Sequence, residues 1–321
     1  MPRCLPRCLI VQPMHKAALD MLADAGVEAV ICPDTAPETV ARLAAGVDAV
    51  ITRDAGFGAA AMRAAGPSLR VVVAHGEGHD AIDKAAATEL GILVCNTPGA
   101  NARSVMELTL GLAIAAARKI PAADRAERGG EAGFRARAVT AELSGKTALI
   151  VGWGHIGQGV GRMLHDAFGM EILVHSPRAR DTGGFERVAS LADGLSRADL
   201  ITLHTPMRPE TEGLIGEAAL AACKPGAILV NTARAGLVDE AALARALASG
   251  RIGAAALDVY GHDAPHGPLG RFEQVIFTPH LGGSTPEAMI RVGQGSVAHV
   301  LDALSGKRPA TAQNDPKGWN R

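Results

Sequence analysis

Arg234, Asp263 and His280 each follow a short apolar run that reads as a strand: AILVN (227–231), AAALDV (254–259) and QVIFTP (274–279). In a parallel sheet the carboxyl ends of the strands share one edge, and ligands bind along it. A guanidinium, a carboxylate and an imidazole delivered there suit hydride transfer at a carbon bearing oxygen. The planar donor fork of Arg234 binds a carboxylate and polarises the carbonyl beside it. The imidazole of His280 exchanges the hydroxyl proton as the hydride moves, because imidazoles titrate near neutral pH. Asp263, hydrogen-bonded to the far ring nitrogen, fixes the tautomer. Taken singly, each residue has a plainer reading. His280 is then a histidine at a loop start, Arg234 a structural partner of Asp239 or Glu240, and Asp263 a turn former in GHDAPHG (261–267). Their joint placement favours chemistry.

A second constellation binds rather than reacts. The run ALIVG leads straight into Gly152-Trp153-Gly154-His155-Ile156-Gly157, and the helical pattern VGRMLHDAFG follows. Glycines are needed there because the backbone must turn tightly and approach a pyrophosphate resting on the helix N-terminus. A strand before the motif and a helix after it are the context that separates a dinucleotide site from a chance match. The next strand ends at His175-Ser176-Pro177-Arg178-Ala179-Arg180. NAD sites place Asp or Glu at this strand end to hold the ribose 2′-hydroxyl. Ser176 stands in that place, so no carboxylate repels a 2′-phosphate, and Arg178 and Arg180 supply cations for one. The expected cofactor is NAD(P), with NADP preferred over NAD. The alternative is a dual-specificity pocket beside two solvated arginines.

The elements that must position these residues alternate almost throughout. Strand readings in the first part are 8–11, 27–31, 48–52, 70–74 and 92–95, with Ala-rich helical segments such as HKAALDMLADAG and DKAAATELG between them. These segments close on glycine as helix C-termini do. A longer helix is expected from Ser104 to Lys119, opened by a capping box of Ser104 and Glu107 and followed by Pro121. Residues 122–145 lack a clear period and read as an irregular arm. Alternation restarts at 147–152, 171–176 and 198–204 and continues through the three runs named first. A final helix begins near Thr285 with Pro286 in its first turn, and the tail after Gly306 reads as disordered. Strand–helix alternation implies parallel strands and crossover helices. The fold class is α/β, with two doubly wound parallel-sheet domains.

Composition narrows the function further. The chain has 321 residues, 48% hydrophobic, with formal net charge −1 and 3% aromatic residues. That is enough apolar content for two modest cores. It gives no basic field for nucleic acid and no aromatic platform for single strands. No run approaches the ~20 apolar residues of a membrane span, so a cytoplasmic protein is expected. The five cysteines, Cys4, Cys8, Cys32, Cys95 and Cys223, are scattered. They read as buried thiols in a reducing compartment. Cys4 and Cys8 have metal-like spacing but no second ligand pair follows, and no metal is expected.

With those residues in view, the sequence resembles the D-isomer-specific 2-hydroxyacid dehydrogenases, which include D-3-phosphoglycerate dehydrogenase and glyoxylate/hydroxypyruvate reductase. The matching stretches are HGEGHDAID (75–83), NTPGANARSVMELTLGL (96–112), VGWGHIG (151–157), HTPMRPETEGLIG (204–216), KPGAILVNTARAGLVDE (224–240), AAALDVY (254–260) and TPHLGGSTPEA (278–288). The resemblance implies a flavodoxin-like substrate domain from 1–99 and 286–321, and a Rossmann-type cofactor domain from 100–285. It implies that Arg234 binds substrate, that His280 donates and accepts the proton, and that Asp263 stands where the family has Glu. The backbone of Gly76, Glu77 and Gly78 would hold the substrate carboxylate. Gly152, Gly154, His155, Ile156 and Gly157 would line the pyrophosphate, Thr205 and Pro206 the adenosine side, and Thr232, Ala233 and Asp258 the nicotinamide side.

The implied substrate is a small D-2-hydroxy or 2-oxo acid of 3-phosphoglycerate, glyoxylate or hydroxypyruvate type, and the implied assembly is a homodimer. Arg53, at the end of an early strand, is a candidate phosphate contact or a surface residue. Glu77 is expected to be solvated, with only the loop backbone facing substrate. The chain ends soon after its last helix, so no appended regulatory domain is expected. Two other readings of the same architecture are a dinucleotide-sensing scaffold of corepressor type and a formate or phosphite dehydrogenase.

Overall fold

The structure, a computed structural model, describes residues 5–317 and 319. Cys4 lies outside the described residues. The chain forms two compact units, Met1–Asn101 with Gly283–Arg321, and Ala102–Gly282.

The first unit runs β1 (Arg7–Ile10), α1 (Lys16–Asp24), β2 (Glu28–Ile31), α2 (Pro37–Ala44), β3 (Ala49–Thr52), α3 (Ala59–Ala65), β4 (Val71–Ala74), α4 (Lys84–Glu89) and β5 (Leu93–Cys95). Its five strands lie in the order β2-β1-β3-β4-β5, and every pairing is parallel. That order is the flavodoxin-like one. The central strands read as unbroken apolar runs because both their faces are covered. Val71 and Val73 pack toward Ala18 and Leu22 of α1, while Val72 and Ala74 pack toward Val40, Met62 and Ala87 of α2, α3 and α4.

The second unit runs α5 (Ala102–Ala117), α6 (Ile120–Arg128), α7 (Phe134–Arg137), β6 (Thr147–Val151), α8 (His155–Phe168), β7 (Glu171–His175), β8 (Glu186–Arg187), α9 (Leu191–Arg197), β9 (Leu200–Leu203), α10 (Glu217–Ala222), β10 (Ala227–Asn231), α11 (Glu240–Ala248), β11 (Ile252–Leu257) and β12 (Val275–Phe277). Its strands lie in the order β12-β11-β10-β9-β6-β7-β8, all parallel. The order reverses between β6 and β9, which is the switch point where doubly wound sheets bind dinucleotides. The chain then returns to the first unit with α12 (Pro286–Leu304), whose Val292, Val297, Val300 and Ala303 are buried.

Several expectations need correction. Ser104 does not cap α5: the helix starts at Ala102 and Ser104 is buried inside its first turn. The segment 122–145 is not wholly irregular. Lys119 takes a left-handed φ of 52° between the two helices, Pro121 lies just beyond α5 as expected while also standing in the first turn of α6, and a short α7 follows. The short strand β8 carries no apolar run and escaped the periodicity.

The segment beyond Gly306 is ordered along β5. Ala312 bridges Cys95 antiparallel, and Gln313 N donates to the Val94 carbonyl at 2.8 Å. Its polar composition reads as disorder only if the free edge of β5 is left out of account. Backbone pairing and the Asn314 side chain fasten it there, with Asn314 accepting from Val94 N and donating to the Ile92 carbonyl.

Among the described residues no helix is long and apolar enough to cross a membrane. Cys8, Cys32, Cys95 and Cys223 are buried and unpaired. Burial pushes the Cys95 thiol up to about 12 and Cys223 to about 11, so both stay protonated at neutral pH.

Candidate active site

The neighbouring parallel strands β10, β11 and β12 release their chain at one edge of the second unit's sheet. Arg234 follows β10, Asp258 follows β11 and His280 follows β12. Asn231, the last residue of β10, shapes the turn beneath Arg234. Its Oδ1 accepts from Ala233 N at 3.0 Å, and its Nδ2 donates to the Arg234 carbonyl at 2.8 Å. The guanidinium of Arg234 donates from Nη1 to the Ala233 carbonyl at 2.6 Å. The two acids that follow it in sequence have other tasks. Asp239 caps α11 by accepting from Ala242 N, and Glu240 accepts from Gly261 N.

His280 takes φ 53°, a left-handed conformation that a non-glycine residue adopts only when its surroundings impose it. Asp258 imposes it. The His280 N–H donates to the Asp258 carbonyl at 3.0 Å, and the Asp258 carboxylate accepts from Leu281 N at 2.8 Å, Gly282 N at 2.9 Å and Thr278 Oγ1 at 2.5 Å. Asp258 is 1% exposed. A buried carboxylate accepting several donors is held firmly, and so is the loop that supplies them.

Asp263 does not join this group. Its carboxylate is 94% exposed and lies 3.0 Å from Nδ1 of the adjacent His262. The backbone explains it: the Asp263 carbonyl closes a turn by accepting from His266 N and Gly267 N, and the side chain projects from that turn into solvent. The expected hydrogen bond between Asp263 and His280 is therefore not formed. The Asp258 carbonyl holds the His280 N–H, and the Asp258 carboxylate holds the residues on either side of it.

At the switch point, β6 runs through Gly152 into α8. A side chain at Gly152, whose φ is 100°, would lie 2.6 Å from the His204 carbonyl, and one at Gly157 would lie 2.0 Å from the Gly152 oxygen. Both glycines are compelled by close backbone approach. Gly154 differs: a Cβ there meets nothing within 4 Å. The N-terminus of a 14-residue helix thus opens with His155 and Ile156 onto free space lined by backbone, which fits a dinucleotide pyrophosphate. Thr205 and Pro206 follow β9, next to β6 in the sheet. Thr232 is buried and shares a 3.0 Å hydroxyl contact with Thr109 of α5. Ser176 directly follows β7, half-buried, and no carboxylate occupies its position. Arg178 and Arg180 lie beyond it, Arg178 exposed.

In the first unit, β4 ends in His75 and the loop Gly76-Glu77-Gly78. Gly76, at φ 141°, donates to Thr97 Oγ1 at 3.1 Å, and its carbonyl accepts from Thr97 N at 2.9 Å. The Glu77 carbonyl accepts from Asn96 Nδ2 at 2.7 Å. Both carbonyls thus turn back toward the residues leaving β5. The N–H groups of Glu77 and Gly78 have no protein acceptor among the described residues. Glu77 is not solvated as expected: its Oε2 accepts from Gly99 N at 3.0 Å, which ties the loop down a further time. His75 is 7% exposed and its Nε2 has no partner. Burial, reinforced by the charge of Arg53, pulls its pKa down to about 4. Arg53, half-buried at the end of β3, reaches Met289 Sδ at 3.7 Å.

Residues 110–282 match the family model described as the D-isomer specific 2-hydroxyacid dehydrogenase, NAD binding domain. The chain belongs to that family. This family member is 44% identical over 257 residues to the D-3-phosphoglycerate dehydrogenase of Mycobacterium tuberculosis, covering 78% of this chain and 48% of that one. The chain therefore spans about half the length of the curated relatives it matches. Among solved structures it resembles the TT0316 protein of Thermus thermophilus, with TM-score 0.88 and 33% identity over 96% of this chain and 99% of that one. It also resembles a glyoxylate reductase from Paecilomyes thermophila, with TM-score 0.86 and 28% identity over 98% and 99%.

Sequence reasoning passed over Asn231, Asn96, Thr97 and Gln313, which shape the loops of this 2-hydroxyacid dehydrogenase family member. Asn231 and Asn96 each stand at or just beyond a strand end, and a polar residue closing an apolar run is the signal that could have found them. Gln313 carried no such signal. Among the described residues no cluster of His, Cys, Asp or Glu is arranged to hold a metal ion.

Proposed function

We propose that the chain is an NAD(P)-dependent oxidoreductase acting on the CH–OH group of a small D-2-hydroxy acid, or in reverse on its 2-oxo acid. The observation that carries the reading is the pair Arg234 and His280 at the carboxyl edge of β10-β11-β12, with His280 held in a left-handed conformation. A buried carboxylate that holds the backbone around His280 gives the loop the order that a proton-transfer site needs.

The nicotinamide, when bound, supplies the hydride donor or acceptor. Arg234 binds the substrate carboxylate and polarises the C2 oxygen through its planar donor fork. His280 takes the hydroxyl proton during oxidation and returns it during reduction. The free N–H groups of Glu77 and Gly78 form a small anion-binding concavity suited to a carboxylate. Gly152, Gly154, His155, Ile156 and Gly157 hold the pyrophosphate, Thr205 and Pro206 the adenosine side, and Thr232, Ala233 and Asp258 the nicotinamide side. With Ser176 in place of an acid and Arg178 exposed beyond it, the ribose pocket favours NADP over NAD. Asp263 contributes only if its loop turns the carboxylate from His262 toward His280.

Within the acid class we favour a substrate of the 3-phosphoglycerate type over glyoxylate or hydroxypyruvate. The Arg53 guanidinium has only a thioether as hydrogen-bond partner among the described residues, and it lies beside a buried imidazole with an open nitrogen. That pairing suits an additional anionic group. A homodimer is the proposed assembly, supported by Ile120 and Val139, which are 51% and 81% exposed in the segment beyond α5. Four unpaired buried thiols support a reducing, cytoplasmic setting.

The test is absorbance of the reduced nicotinamide with glyoxylate, hydroxypyruvate and 3-phosphohydroxypyruvate, each with NADH and with NADPH. Turnover greatest with the phosphorylated acid supports the reading. Turnover with formate or phosphite alone supports the alternative oxidiser, and cofactor binding without turnover of any acid supports a dinucleotide sensor.

A further inference from the structure

The order of the loop Gly76-Glu77-Gly78 is traceable through side chains to a segment that carries no motif. Gln313 N donates to the Val94 carbonyl, and Ala312 bridges Cys95, so 312–313 continue the first unit's sheet as an antiparallel edge. From that edge the Gln313 side chain donates through Nε2 to Asn96 Oδ1 at 3.0 Å. Asn96, 4% exposed, donates in turn through Nδ2 to the Glu77 carbonyl at 2.7 Å. An amide has one acceptor and one donor side, so the bond it accepts decides which side faces the loop. Gln313 presents a donor and therefore fixes Asn96 with its NH2 toward Glu77. With the Glu77 carbonyl held, the peptide that follows it turns the Gly78 N–H the other way.

We propose that Gln313 is a positioning residue for substrate binding, setting through Asn96 the orientation of the Glu77–Gly78 peptide. The inference rests on the reading of that loop as the seat of the substrate carboxylate. Gln313 is exposed and Asn96 is buried, so the outer member can be changed without opening the core.

The polarity of the relay gives it a signature that packing alone lacks. Gln313→Ala removes a donor and leaves Asn96 free to keep its orientation. Gln313→Glu places a carboxylate against Asn96 Oδ1, and the amide relieves the repulsion by turning its NH2 to the new acid. Its oxygen then faces the Glu77 carbonyl, and the Glu77–Gly78 peptide loses the bond that orients it. A residue that merely filled space would rank the variants the other way, since Glu keeps the volume that Ala loses.

The experiment measures kcat, KM for the 2-oxo acid and dinucleotide Kd in the full chain carrying Gln313→Ala, Gln313→Glu or Gly76→Ala, with thermal melts alongside. We expect KM to rise about threefold for Gln313→Ala and about tenfold or more for Gln313→Glu, as loss of one and then both of the relay's two hydrogen bonds would give. Dinucleotide Kd and melting temperature stay near those of the parent. Gly76→Ala strains the loop directly at φ 141° and raises KM whatever Gln313 does. KM unchanged by Gln313→Glu while Gly76→Ala raises it overturns the relay and leaves the loop reading intact. KM unchanged by all three overturns both. Equal effects of Ala and Glu overturn the polarity argument, and with it the positioning role.

Discussion

The His280 N–H donates to the Asp258 carbonyl at 3.0 Å, and the carboxylate of the same aspartate holds Leu281 and Gly282. The proposed proton carrier is thus gripped through its backbone on both sides, and its loop is directed by an acid on the neighbouring strand. Asp258→Asn replaces part of that acceptor with a donor facing N–H groups. The variant is expected to lose about tenfold or more in kcat and about 2 kcal/mol in stability, since hydrogen bonds to a buried charge are lost. Steady-state kinetics and thermal melts check this. A variant of parental kcat would show that the loop holds its form without the carboxylate.

The two kinds of glycine in the dinucleotide loop separate folding from binding. Gly157→Ala drives a Cβ to 2.0 Å from the Gly152 oxygen and should lower both melting temperature and dinucleotide affinity. Gly154→Ala points a methyl into open space, so melting should change little while affinity falls because the methyl occupies the phosphate approach. Dinucleotide titration and melting of both variants make the comparison. Equal affinity for parent and Gly154→Ala would move the pyrophosphate elsewhere.

The ribose pocket is tested by Ser176→Asp. A carboxylate at the end of β7 repels a 2′-phosphate and accepts from a 2′-hydroxyl. The ratio of kcat/KM for NADPH to that for NADH should drop at least about tenfold, which corresponds to roughly 1.4 kcal/mol. An unchanged ratio would refute the assignment of that strand end.

His75 makes stability depend on pH. Its folded pKa of about 4 lies below the ordinary 6.5 because the ring is buried and sits near Arg53. The unfolded chain therefore takes up a proton at a pH where the folded chain does not. Its stabilising contribution is complete above pH 6.5 and is lost as pH falls toward 4, by an amount on the order of 3 kcal/mol. Denaturant titrations at about pH 7 and about pH 4.5, on either side of the ordinary imidazole range, should show a smaller loss for His75→Gln than for the parent. Identical losses would mean the ring is not the group that titrates.

The sequence revealed the alternation, both sheets, the glycine loop and the strand ends bearing Arg234 and His280, because each rests on a local pattern of apolar runs and turn residues. It did not reveal where the Asp263 carboxylate points, or that Asp258 holds the loop of His280. Asp263 stands at the right distance along the chain, but the turn made by its own carbonyl sends the side chain outward. Asp258 lies at a strand end where a buried acid is legible only once the loop at 278–282 has folded over it. The tail at 311–314 was missed for a related reason: its order comes from the free edge of β5 and not from any periodicity of its own.

The most direct measurement compares parent and His280→Ala in the reduction of a 2-oxo acid by the preferred nicotinamide, with dinucleotide Kd measured in parallel. The parent should turn over, and the variant should fall in kcat by about 10²- to 10⁴-fold with Kd within about threefold. Retention of parental kcat in the variant, or no turnover of any 2-oxo acid by the parent, would contradict the assignment of His280 as the proton carrier of a 2-hydroxyacid dehydrogenase.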